Sequence, residues 1–448
     1  MVHSPQKMLR LALVATLVAI QPLRAELLFF KRGGAVQLPC RRAGSQVIVE
    51  GPQGPIEFEP DDFRRIVPGG DPLAEWPARL ASARARGSDP TMAAAWWALE
   101  NGLTPQAITA LRDLHAADPE HEPTAGLIRT LEAITPPLPA PDVAGLTSAL
   151  GGTFQTKDSS HFILLHQGGE SEASARLDVL ERVYLSFYLT FAGQGIALRP
   201  PREKLAAAVF ARQVDYLSFL SREGAGSFAT TQGYYHPTRK AVISFDPRDL
   251  PALRQRAAAI RPGRDAPRLL LLLDLELRAI DLGMAAHEAT HKLVAASGLA
   301  PRHDAFPTWL HEGLAAQFEV IRGGRWAGVG RANDLRLPDW RALKPAPKLA
   351  PVVRDDNFGH GYRRDLYAEA WSLVYFLRKE HPNEFARYID LLRSPTAAER
   401  HPVELFRTSF GADLSSFEVE WHRYLRTVST PIETAPASEA PRIRATRD

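Results

Sequence analysis

The chain has 448 residues and 45 % apolar content, enough for several domains and at least one large core. Its formal charge is +3, but three of the basic residues, Lys7, Arg10 and Arg24, fall in a candidate leader, so the remainder is neutral. With no basic stripe interleaved with aromatics, this balance argues against a nucleic-acid partner. One cysteine, Cys40, excludes an internal disulfide and is expected to be a small buried hydrophobe in a short strand.

Residues 1–25 read as a secretory signal. Lys7 and Arg10 form the basic region, Leu11 to Ile20 the apolar one, and Leu23-Arg24-Ala25 offers a cleavage site. The apolar run is too short for a stable bilayer span, so no membrane insertion is expected after its removal. The implied location is secreted or periplasmic, with an uncleaved N-terminal anchor as the alternative.

Residues 26–70 form a small β module. Leu27 to Phe30, Ala35 to Leu38, Val47 to Glu50 and Ile56 to Phe58 are β-prone runs separated by glycine-rich turns. A barrel-like adaptor is the expectation. Residues 71–134 change to a helical period. Ala93 to Glu100 and Pro105 to Ala117 read as helices, and Trp97, Gly102-Leu103, Ala107, Leu111 and Asp118-Pro119 resemble part of a tetratricopeptide-type pair. A plain helical hairpin is the equal alternative. These N-terminal modules are candidate docking surfaces for a protein partner. Residues 135–141, rich in proline, are expected to be an extended, semi-rigid linker. Residues 429–448 read as a disordered tail.

Between linker and tail, residues 142–428 open with an apolar strand, His161 to His166. A long helix follows, from about Glu172 to Phe191, then a strand, Lys204 to Phe210, and a short helix, Val214 to Leu220. Gly233 to Pro237 and Ala241 to Phe245 read as a hairpin, turning near Pro237-Thr238-Arg239. Thereafter the pattern is mostly helical. A small mixed sheet followed by a helical subdomain argues for an α+β fold.

His287-Glu288-Ala289-Thr290-His291 carries the chemistry. On a helix, His287 and His291 lie one turn apart on one face, where a single metal ion reaches both. Glu288 is the candidate general base, taking a proton from zinc-bound water and passing it to the leaving amine. Zinc at a catalytic site takes three protein ligands and leaves one position for water. Glu312, 21 residues after His291 and in a separate helix, suits the third position; His303 is the alternative. Val294 and Ser297 stand where a metzincin needs Gly and His, which excludes that class. His311 reads as a rim residue.

The motif together with Trp309-Leu310-His311-Glu312-Gly313-Leu314-Ala315-Ala316-Gln317-Phe318-Glu319 resembles the gluzincin metallopeptidases. The second stretch is similar to the Trp-Leu-Asn-Glu-Gly-Phe-Ala element of aminopeptidase N-type enzymes, and the whole is similar to secreted bacterial proteins of the peptidase-MA-like type. The resemblance covers roughly residues 155–425. It implies a thermolysin-like zincin domain with Zn2+ held by His287, His291 and Glu312, Glu288 as base, and Glu319 orienting a ligand imidazole. It also implies a peptide or protein substrate, an edge strand upstream of the zinc helix that binds peptide backbone, and a transition-state donor on a downstream helix. Tyr367 is the candidate donor, with His360 and Tyr362 behind it, and packing alone as its bland alternative. No Gly-x-Met-Glu-Asn element for capturing a free amine is present, which favours an endopeptidase. The alternative to an enzyme is a zinc-binding, non-hydrolytic scaffold acting in protein or envelope binding. Trp371, Val374, Tyr375 and Leu377 read as core.

Overall fold

The computed structural model describes residues 24–434 except 69, 303–304, 359–362, 398–399 and 412. Most of the candidate signal, and the tail from residue 435, lie outside the described residues. The fold is mixed α+β, with small sheets first and a helical C-terminal part. No described helix is long and apolar enough to cross a membrane.

The first sheet comprises β1 (Arg24–Phe30), β2 (Ala35–Ala43), β3 (Gln46–Gly51), β4 (Gly54–Phe58) and β5 (Phe63–Pro68), in the order β4-β3-β2-β1-β5. All neighbours are antiparallel. The barrel-like expectation is corrected here. No ladder joins β4 to β5 among the described residues, so the sheet is open. It curls instead, bringing the rings of Phe58 and Phe63 within 5.5 Å. β5 escaped the sequence reading because Arg64 and Arg65 break its apolar character. Cys40 is buried on β2, and burial pushes its thiol up to about 12.

Four helices follow: α1 (Pro72–Arg84), α2 (Ser88–Glu100), α3 (Thr104–Ala117) and α4 (Glu122–Ile134). Each packs on the next, and α4 docks on the long helix described below. The single hairpin of the sequence reading is therefore two hairpins; α1 begins at an Asp71 cap and stacks Trp76 on Trp97 of α2. The proline linker is held by backbone bonds: Leu138 donates to the Ser160 carbonyl and Lys204 to that of Pro139.

The second sheet is what positions the site. After α5 (Ala144–Leu150) come β6 (Gln155–Asp158), β7 (Phe162–His166), α6 (Glu170–Gly193), β8 (Leu205–Phe210), α7 (Gln213–Arg222), β9 (Gly233–His236) and β10 (Ala241–Phe245). The order is β6-β7-β8-β10-β9. β7, β8 and β10 are parallel, and the antiparallel β6 and β9 form the two edges. The three parallel strands are buried at every position, because both faces are covered. Phe162, Leu164, Ala207 and Val242 face the main core with α6. Ile163, Leu165, Ala208 and Ile243 face α5 and α7.

After α8 (Pro251–Ala259), the 31-residue α9 (Ala266–Ala296) joins the two halves. Its first turns carry Leu271, Leu272 and Leu275 into the first sheet's core. The fit is close: a Cβ on Gly34 would stand 2.7 Å from a Leu272 methyl. The later turns run beneath β9 and carry His287 to His291. Then come α10 (Thr308–Ala315), a ribbon of β11 (Ile321–Arg322) and β12 (Arg325–Trp326), α11 (Arg336–Ala342), α12 (Leu349–Val353) and α13 (Arg364–Glu380). α14 (Pro382–Arg393), α15 (Pro402–Phe410), α16 (Leu414–Thr427) and α17 (Pro431–Thr434) complete the chain. Trp371, Val374, Tyr375 and Leu377 on α13 are buried core. The disordered-tail reading is corrected at its start: Thr430 is buried, and Arg341 pairs with Glu433 and donates to the Val428 carbonyl.

Candidate metal centre

His287 and His291 project from one face of α9, their Nε2 atoms 3.2 Å apart. α10 brings Glu312 against both, its Oε2 3.0 Å from His287 Nε2 and 3.5 Å from His291 Nε2. One ligand atom from each residue lies within 4.8 Å of the other two. Two imidazole nitrogens and a carboxylate oxygen thus lie close enough together for one ion to reach all three. That donor set fits zinc by number and softness.

Glu319 decides which nitrogen of His287 is free. Its Oε2 accepts from His287 Nδ1 at 2.9 Å, which pins the proton on Nδ1 and leaves the Nε2 lone pair for a metal. Glu319 is held in turn. Its Oε1 accepts from Asn333 Nδ2 (2.8 Å) and Arg336 Nε (2.7 Å), and Oε2 from Arg336 Nη2 (3.2 Å). Burial opposes ionisation of Glu319, but the Arg336 guanidinium and His287 outweigh it and hold the carboxyl well below its usual range. Glu312 is likewise held low, by His291 and His287 against burial. In the metal-free chain burial pulls His287 down, yet hydrogen bonds to Glu312 and Glu319 raise it to about 10. That affinity for a proton is the mark of a site with excess negative charge, which a divalent cation satisfies better.

Glu288 lines the same cleft as His291 and Glu312. Burial raises its carboxyl above the ordinary range, with the two histidines pulling down and the Tyr235 backbone N–H bonded to it. Tyr235 belongs to β9, which among the described residues pairs with β10 alone and is the sheet edge beside the site. Two further ties keep β9 on α9. Gly233 lies so close to Met284 that a Cβ there would be 2.5 Å from its sulfur. The Lys292 ammonium donates to the Lys240 carbonyl at the β9–β10 turn, where Lys240 takes φ 49°.

Glu312 is placed by two contacts remote in sequence. α10 starts at Pro307, whose side chain cannot cap it. Asp355 does so instead, accepting from the Thr308 N–H (2.6 Å) and the Trp309 N–H (2.9 Å). Next to Glu312, Gly313 lets α10 approach α13: a Cβ there would be 2.5 Å from the Ala370 carbonyl oxygen. α13 also carries Tyr367, whose ring centroid is 6.1 Å from that of His287 and 5.2 Å from the Arg336 guanidinium carbon.

These groups open on a cleft of about 940 Å³. Glu288, His291, Glu312 and Tyr367 line it beside β9, and Tyr388 and Leu405 line its apolar end. The structure thus brings together His287, Glu288, His291, Glu312, Glu319 and Tyr367. His311 sits at the cleft wall, its ring 6.2 Å from that of His291. His303, His360 and Tyr362 lie outside the described residues. The sequence reading missed Asn333, Arg336 and Asp355. Asn333 and Arg336 left a usable signal: Asn333 Oδ1 accepts from the Leu335 and Arg336 N–H groups, the cap pattern that opens a helix. Asp355 left none, because its capping partners are 46 and 47 residues away.

No curated protein matches the sequence. Residues 281–404, which run from the turn of α9 before the histidines into α15 and take in Glu312, Glu319 and Tyr367, match one family, described as a protein of unknown function, DUF1570.

Proposed function

We propose that the protein is a zinc-dependent peptidase of gluzincin type, with a thermolysin-like catalytic half, acting as an endopeptidase on peptide or protein substrates. The supporting observation is the convergence of His287, His291 and Glu312 with Glu319 fixing the histidine tautomer and Glu288 alongside. His287, His291 and Glu312 would hold the ion, and a zinc bound there supplies a Lewis acid for a water and for the scissile carbonyl.

The protein's own residues do the rest. Glu288 removes a proton from the attacking water as its oxygen bonds to the carbonyl carbon, and delivers that proton to the departing amine as the C–N bond breaks. Its burial, which favours the protonated form, suits a group that must both accept and return a proton. β9 offers an edge along the cleft that is unpaired among the described residues, to which an extended substrate would add as a further strand. Tyr367, which lines the cleft, would donate to the developing oxyanion. Residues 1–25 would direct the chain to the periplasm or the exterior.

Purified protein should hold about one zinc and cleave an unstructured protein such as casein. Glu288→Gln should keep the metal and lose the cleavage. Undiminished cleavage in that variant would sink the mechanism. Metal binding without cleavage in the unaltered protein would favour a zinc-binding scaffold, and no metal binding would reject both.

A further inference from the structure

A second cavity, of about 160 Å³, shares no lining residue with the cleft. It lies where α2 (Trp96, Glu100), the end of α6 (Gln194) and α13 (Arg378, Lys379) meet the buried Gln317. Arg378 is the anomaly. Its guanidinium makes no hydrogen bond among the described residues, and Nε and Nη1 are buried without a partner. Buried guanidinium groups are normally paired, because desolvation without an acceptor is costly.

The local charge count sharpens this. Lys379 already engages the acid among the lining residues, donating to Glu100 Oε1 at 2.6 Å. One guanidinium and one ammonium thus line the cavity with a single carboxylate. Water in the cavity would satisfy the N–H donors and leave the charge excess in place. An anion does both.

We infer that this cavity is a binding site for a small monovalent anion, held by the Arg378 guanidinium at the junction of the α1–α4 array with α13. The volume admits a halide or a small carboxylate with a water or two, and excludes a nucleotide or peptide. Unbonded oxygens on Gln194 and Gln317 are ready acceptors for that water. Gln317 Nε2 already donates to the carbonyls of Gly313 and Trp371, so the anion would fasten the helix array to the layer that carries Glu312. The inference stands whether or not the metal centre is a peptidase.

The test uses the full chain with chloride as the probe. Replacing gluconate by chloride at constant ionic strength should raise the thermal midpoint saturably, by about 3 °C at a hundredfold excess over Kd. Arg378→Met should abolish the chloride response, and Lys379→Gln should weaken it. Line broadening of 35Cl by the unaltered protein gives a readout that needs no variant. A bromide-soaked crystal should show anomalous density within hydrogen-bond reach of Arg378. The inference is overturned by an equal chloride response in Arg378→Met, by unbroadened 35Cl, or by water alone in the bromide crystal.

Discussion

Replacing Glu319 by Gln tests whether this acid, rather than the two histidines alone, sets the metal affinity. The carboxylate accepts four donated hydrogen bonds from three side chains, His287, Asn333 and Arg336. An amide has one acceptor oxygen. If that oxygen faces His287, the NH2 group faces Asn333 and Arg336 Nε, which are donors; if it is flipped, the NH2 group faces His287 Nδ1–H. Either way a donor meets a donor, and Arg336, 9 % exposed, loses its counter-charge. Losing the charge-assisted bonds should cost about 1.5–3 kcal/mol of folding stability. Losing the anchor on His287 Nδ1 should weaken zinc binding about 10–100-fold. The double variant Glu319→Gln/Arg336→Met removes the stranded cation and should recover stability without recovering metal affinity. Competition against a chelator of known affinity reads the metal, and thermal unfolding of the apo-protein reads the stability. A zinc Kd within twofold of the unaltered protein would refute the orienting role.

Asp355→Ala should lower stability by about 1–2 kcal/mol through loss of the α10 cap, and should weaken zinc binding because Glu312 rides on that helix; Asp355→Asn should retain most of both. Gly313→Ala gains about 1 kcal/mol of helix propensity but places a methyl 2.5 Å from the Ala370 carbonyl oxygen, so a net loss of stability with weakened metal binding is expected. Apo-protein unfolding and a zinc titration check both. Burial raises the Glu369 carboxyl from 4.5 to about 7, with Asp365 adding and Arg363 opposing. The folded state then binds the extra proton between those values, so this group's contribution to stability falls as pH rises from 4.5 to about 7. Glu369→Gln should flatten that part of the stability–pH profile, and an unchanged slope would reject the assignment.

Local pattern made much of this chain legible. β-prone and apolar runs between turn residues located most strands of both sheets, and the apolar run at His161 to His166 is a strand buried at every position of Phe162–His166. The five residues His287 to His291 specify their own geometry, since a helix turn alone puts both imidazoles on one face. β5 and α1 were missed because charged or proline-containing stretches blurred their periods. The early half of α9 was missed because Leu269 to Leu275 is nearly continuous leucine, which shows no face until the first sheet is packed against it.

The sequence by itself determined the candidate donor types, the one-turn spacing of the histidines and the carboxylate beside them, because these depend only on residue chemistry and helical pitch. Only the tertiary structure decided the rest. It made β9 an edge rather than an interior strand, capped α10 from Asp355, locked Glu319 between His287 and Arg336, and left Arg378 Nε and Nη1 buried beside a cavity without a partner among the described residues. Each of these depends on residues far apart in the chain and brought together by burial of a shared core, and no local period encodes that.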